Sequence, residues 1–193
     1  ELLDNPTIRN IADEIDNAES DEDLNELIEY STDITFYPLM VNQLGVYYEC
    51  AQNPDEAQYN LPAIVRFDKS IDALKLRESI IKTIDAYPYL KTRIVNHEGQ
   101  LMHKRDDSMP IDEIPIVEVK DISDEEIEKE NVKRFELLNN QLFRAKIYKT
   151  TDETVLFFDI HHIISDGESL DALFNNFANA YNGEEIEEEV FDG

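Results

Sequence analysis

The stretch FDIHHIISDG, residues 158–167, sets two of the chain's four histidines side by side where strand-forming residues give way to an Asp-Gly turn. An imidazole exchanges protons near neutral pH, so this pair, just ahead of Asp166, suits acid–base or positioning chemistry. Successive side chains on a strand point to opposite faces. His161 therefore shares a face with Phe157 and Asp159, and His162 with Phe158 and Ile160. The two rings cannot serve one substrate together: if the strand ends at a cleft, one ring faces it and the other turns into the scaffold. Ser165 and Glu168 have capping-box spacing at the start of the next helix, which makes Ser165 a cap and not a nucleophile. Asp166 should lie near the histidine strand, placed to pair with a cation or to orient an imidazole. A zinc site is disfavoured, because adjacent strand positions diverge and His97 and His103 belong to another hairpin.

The elements that must position this stretch are readable from apolar spacing. The segment FYPLMVNQLGVYYECAQ predicts a helix with Leu44, Tyr47, Tyr48 and Ala51 on one face. AIVRFD (63–68) reads as a strand. Ser70 opens a helix carrying Ala73, Leu76, Ile80, Ile84 and Tyr87 at helical spacing until Pro88 stops it. YLKTRIV (89–95), QLMHK (100–104) and IPIVEVK (114–120) are strand-like, with His97-Glu98-Gly99 as a hairpin turn. Ser123 and Glu126 cap a helix expected over 123–138, with Ile127, Phe135 and Leu138 on one side. FRAKIYKT and VLFFDIHH are strands joined through Thr151-Asp152-Glu153, and the last helix ends at Gly183. Hairpin-linked strands among long helices predict an α/β sandwich with a mixed sheet and not a doubly wound parallel one.

Composition narrows the function. The 193 residues, 41% hydrophobic, can bury one good-sized core. Forty-four Asp and Glu against seventeen Lys and Arg give a formal net charge of -27, which repels phosphate backbones and anionic lipid surfaces. Nucleic acid and membrane partners are disfavoured. The single cysteine, Cys50, allows no disulfide within the chain and fits a reducing cytoplasm. No apolar run reaches membrane-span length, and the first residues do not read as a signal peptide. The chain begins mid-pattern without methionine and reads as a piece of something longer. Asn5, Pro6, Ile8, Ile11, Ala12 and Ile15 predict an amphipathic helix over 5–16 that has nothing of its own to pack on, and residues 17–34 read as an acidic linker.

HHIISDG is the His-His-x-x-x-Asp-Gly motif of condensation domains of nonribosomal peptide synthetases, and the chain resembles that family. YPLMVNQLGVYY (37–48) looks like its opening segment, YPYLKTRIV (87–95) like its Leu-Arg-Thr-Arg segment, and LLNNQLFRAKIYK like the strand before the motif, all in the family's order. ELLDNPTIRNIADEID resembles the closing helix of a peptidyl carrier protein. The resemblance implies a chloramphenicol acetyltransferase-like two-layer α/β sandwich with a mixed sheet, N-terminal subdomain only. It divides the chain into a carrier helix (1–16), a linker (17–35) and the first half of a condensation domain (36–193).

The implied activity is amide formation between a carrier-tethered acyl or peptidyl thioester and a carrier-tethered aminoacyl group. His162 would contact the acceptor's α-amine, with His161 supporting the loop. Asp166 would pair with a cation, Arg93 in preference to Lys91, and Gly167 would keep the turn tight beside the channel. The implied partners are the upstream and downstream carrier domains and the C-terminal half. Phosphopantetheine rides on those carriers, and no cofactor is bound directly. Lys91 stands where the family often has arginine, Gln141 replaces a common proline and Asn42 a common alanine. The heterocyclizing Asp-x-x-x-x-Asp pattern is absent, and ESLD replaces the Trp-Arg run of epimerization domains. Alternatives are O-acyl transfer within the same superfamily and a non-catalytic docking platform. The chain alone, half a channel, is not expected to catalyse condensation.

Overall fold

The computed structural model describes residues 35–186 and 188–189. The helix expected over 5–16 lies outside the described residues, as does the linker expected over 17–35 except for Thr35. In chain order the elements are β1 (Phe36–Pro38), α1 (Val41–Gln52), β2 (Asn60–Asp68), α2 (Ala73–Ala86), a 3₁₀ turn (Pro88–Lys91), β3 (Arg93–His97) and β4 (Gln100–Lys104). They continue with β5 (Ile116–Glu118), α3 (Asp124–Asn131), β6 (Phe143–Lys149), β7 (Glu153–His161) and α4 (Gly167–Asn182).

A four-stranded sheet runs in the order β2-β7-β6-β5, and a three-stranded sheet in the order β1-β4-β3. β7 is antiparallel to β2 and β6, while β5 runs parallel to β6, so the larger sheet is mixed as expected. β7 is buried on both faces, which explains its nearly unbroken apolar run. Leu156, Phe158 and Ile160 pack with Ile80 and Ile84 of α2 and Leu173 and Phe177 of α4. Val155 and Phe157 meet Tyr148 and Ile127 on the side covered by the short α3.

Local chemistry sets the boundaries, and in several places it departs from the apolar spacing. α2 begins at Ala73, because Asp72 accepts from the Leu74 and Lys75 N–H groups at 2.8 and 3.2 Å. Ser70 instead donates its N–H to Asp68 Oδ1. Its core stripe, Ala73, Leu76, Ile80 and Ile84, is buried as the spacing predicts. Asp72→Ala is expected to lower the unfolding free energy by about 1 kcal/mol, read from the denaturant midpoint at unchanged m-value.

The Ser123/Glu126 capping box forms, but α3 stops at Asn131. Phe135 leaves the helix to sit beneath the Arg144 guanidinium, 3.7 Å from its ring centroid, and Leu138 bridges to Ile94 of β3. Pro88 fixes the first position of the 3₁₀ turn, so residues 88–91 coil and the strand starts only at Arg93. The β3–β4 hairpin closes through Glu98 and Gly99, with φ of 51° and 85°, the two left-handed corners of a primed turn. On α1 the expected face holds in part: Leu44 and Tyr47 are half-buried against the core, but Tyr48 and Ala51 are exposed and the buried residue is Gln43.

Candidate functional site

β7 ends at His161, and the backbone turns at once. The His161 carbonyl accepts the Ile164 N–H at 3.1 Å, the i to i+3 bond of a β-turn, which puts His162 at the first corner. The strands on either side grip this point: His161 N–H donates to Leu142 O and His162 N–H to Tyr59 O, both at 2.8 Å. Ile163 is held from both sides as well. Its N–H donates to His161 Nδ1 at 3.1 Å, and its carbonyl accepts from Gln43 Nε2 at 2.9 Å.

The two histidines accordingly have different fates. His161 is 3% exposed, and burial pushes its pKa down to about 4, with the charges of His162 and Arg144 adding. Since Nδ1 accepts an amide proton, the neutral ring carries its own proton on Nε2, 3.7 Å from Cys50 Sγ. Tyr59 and Phe135 enclose the ring. His162 is exposed and lines a cleft of about 390 Å³ together with Gln43, Tyr59, Tyr89, Ser165 and Ser169. Strand alternation anticipates this division, but the turn produces it, because the strand stops before His162.

The expected ion pair of Asp166 is not formed. Its exposed carboxylate caps α4, accepting from the Ser169 N–H at 2.8 Å and the Ser169 hydroxyl at 2.6 Å, and these bonds hold its pKa below the usual value. The cap is thus Asp166 and not Ser165. A carboxylate at a helix start is satisfied by local N–H groups and the helix dipole without a distant cation. The cations have other partners. Lys91 Nζ pairs with Asp85 at 2.6 Å and donates to the Asp107 carbonyl, while Arg93 Nη1 donates to the Lys91 carbonyl at 3.0 Å and faces the charge of Asp112. Gly167 has no left-handed φ, and a Cβ there would meet nothing within 4 Å, so the turn does not require a glycine.

Beneath His161 on the same strand, Asp159 is fully buried. Burial raises its pKa to about 6 against the opposing pull of Arg144, whose Nε lies 3.4 Å away, and of Asn60, whose amide donates at 2.7 Å. Among the described residues no group of three or more His, Cys, Asp or Glu side chains is placed to hold a metal ion. Sequence reading missed three residues that frame the cleft: Gln43, Tyr59 and Tyr89. No local pattern marked them: Gln43 lies off the apolar face expected of α1, and its side-chain partners Tyr89, His103 and Ile163 are all distant in sequence.

The sequence pattern of the condensation domain family matches residues 33–192, and the chain belongs to that family. Among curated proteins it is similar to surfactin synthase subunit 1 of Bacillus subtilis (strain 168), 28% identical over 188 residues that cover 97% of this chain and 5% of that protein. Bacitracin synthase 3 of Bacillus licheniformis is 25% identical over 96% of this chain and 3% of its own length. Among solved structures, the starter condensation domain of rhizomide synthetase superposes with a TM-score of 0.71 at 17% identity, over 82% of this chain and 41% of that one. The X-domain from teicoplanin biosynthesis gives 0.68 at 19%, over 83% and 36%. These likenesses establish the fold. The chain spans about two-fifths of the solved domains and a twentieth or less of these two synthetases. Among the described residues no helix is long and apolar enough to cross a membrane.

Proposed function

We propose that this chain is the first half of a peptide-bond-forming condensation domain, in which His162 is the residue that meets the acceptor amine. One observation carries the reading: of two adjacent imidazoles, one is consumed by the scaffold and the other projects, exposed, into a cleft from a turn hydrogen-bonded on every side. In the reaction the amine lone pair attacks the thioester carbonyl, the C–N bond forms and the C–S bond breaks. The pantetheine sulfur leaves and takes up the proton that the amine gives off. An imidazole at this place accepts a hydrogen bond from the amine, aims its lone pair, and can carry that proton. Phosphopantetheine enters as the handle of each substrate, carried by the flanking carrier domains.

The similarity to surfactin synthase subunit 1 covers 97% of the chain, which is more than residues 33–192 and so reaches ahead of the family match. This supports reading residues 1–16 as the end of a carrier domain and 17–35 as its linker. Free Cys50 fits a cytoplasmic setting. The experiment is dipeptide formation by the intact parent with loaded carriers, with and without His162→Ala. Product at the parental rate from the variant removes the assignment. It would favour a docking role instead, the kind suggested by the X-domain neighbour, which has been solved in complex with OxyB.

A further inference from the structure

The geometry points to Gln43 as the positioning residue of this site, a role that rests on the reading of His162 above. Gln43 is 6% exposed, yet its side chain spends every hydrogen-bonding position it has. Oε1 accepts the Met40 N–H at 2.9 Å and lies 3.2 Å from His103 Nε2. Nε2 donates to the Ile163 carbonyl at 2.9 Å and to the Tyr89 hydroxyl at 3.3 Å. The orientation of the amide is not free. A backbone N–H must face oxygen and a backbone carbonyl must face nitrogen, so Met40 and Ile163 together fix which end is which. His103 then presents its proton on Nε2, in keeping with a ring that burial keeps neutral down to a pKa of about 4.

The consequence lies one residue from His162. The peptide after His162 is anchored at the Ile163 N–H by His161, but the Ile163 carbonyl is anchored by Gln43, from a helix 120 positions away in sequence. α1, the 3₁₀ turn and β4 all bear on that amide through Met40, Tyr89 and His103. The direction in which the His162 ring leaves the turn therefore depends on where α1 sits. A buried amide with all four bonds made has one low-energy placement, since each broken bond leaves a desolvated group behind. Gln43 thus transmits the packing of three elements to the motif turn, without touching a reacting atom itself.

Two variants separate this role from simple packing. Gln43→Met keeps length and burial and removes all four bonds. Gln43→Glu keeps the acceptors for Met40 and His103 and removes the donor to Ile163. In the 193-residue chain, amide exchange at His162 and Ile164 is expected to quicken about tenfold in both variants relative to mid-β7 amides. In the intact parent, kcat is expected to fall about 10- to 100-fold with KM for the acceptor within about threefold, because a displaced imidazole costs orientation and not binding. A folded Gln43→Glu with parental exchange at residues 162–164, or with a change in KM alone, overturns the proposal. His162→Ala in the same assay keeps the two readings apart. If His162→Ala is inactive and Gln43→Glu is not, positioning by Gln43 fails alone; if His162→Ala is active, the reading of His162 fails while the exchange data still decide whether Gln43 holds the turn.

Discussion

Exchanging the two histidines of the motif one at a time is expected to give opposite phenotypes. His162→Ala lowers the condensation rate of the intact parent by about 10²- to 10⁴-fold, the range lost when a proton-transferring or orienting group is removed. It leaves the unfolding free energy of the chain within about 0.5 kcal/mol, because the ring is exposed and its backbone N–H bond to Tyr59 survives the change. His161→Ala does the reverse in thermodynamic terms. It opens a cavity between Tyr59 and Phe135 and strips the Ile163 N–H of its acceptor, and the two losses together amount to about 2 to 4 kcal/mol. Chemical denaturation of both variants and rate measurements in the parent check the pair. A His162→Ala protein as unstable as His161→Ala would mean that both rings are structural, and the cleft would lose its reactive group. Equal stability of all three proteins would mean that His161 does not hold the turn.

The legibility of this chain in its sequence follows the range of the interactions that decide each feature. Ser123 and Glu126 were readable as a capping box because every atom involved lies within four residues. The α2 stripe and the doubly buried β7 were readable because their patterns repeat at the period of the element. Asp166 was misread because its sequence gives a charge but not a direction. The distant cation and the local cap compete for the same oxygens, and the cap, three residues away, wins. Phe135 and Leu138 fell at helical spacing after Ile127, yet their partners lie across the chain at Arg144 and Ile94. Gln43 was illegible for the same reason in extreme form: its partners at Tyr89, His103 and Ile163 lie 46, 60 and 120 positions away. The motif marked the turn that carries the exposed imidazole, whereas the buried amide beside that turn had no local signature.

Acidification from pH 7 to pH 5 is expected to destabilise the fold by about 2 to 3 kcal/mol net, as two buried imidazoles outweigh one buried carboxyl. His103 and His161 both have their pKa pushed down to about 4 by burial, while in the unfolded chain each titrates near 6.5. Between those values the unfolded state binds protons that the folded state refuses, so stability is complete above pH 6.5 and is lost as the pH falls toward 4. Two such groups contribute about 4 kcal/mol of loss by pH 5. Asp159 acts in the opposite sense. Its carboxyl, raised to about 6, takes up a proton in the folded state before the unfolded one does, which returns about 1 kcal/mol over the same window. Denaturant unfolding across the window measures the net slope, and imidazole NMR assigns it, with two of the four histidines staying neutral to about pH 4. A flat stability profile, or four imidazoles all titrating near 6.5, would place both rings in contact with water and dismantle the neutral, proton-refusing scaffold on which the exposed His162 is mounted.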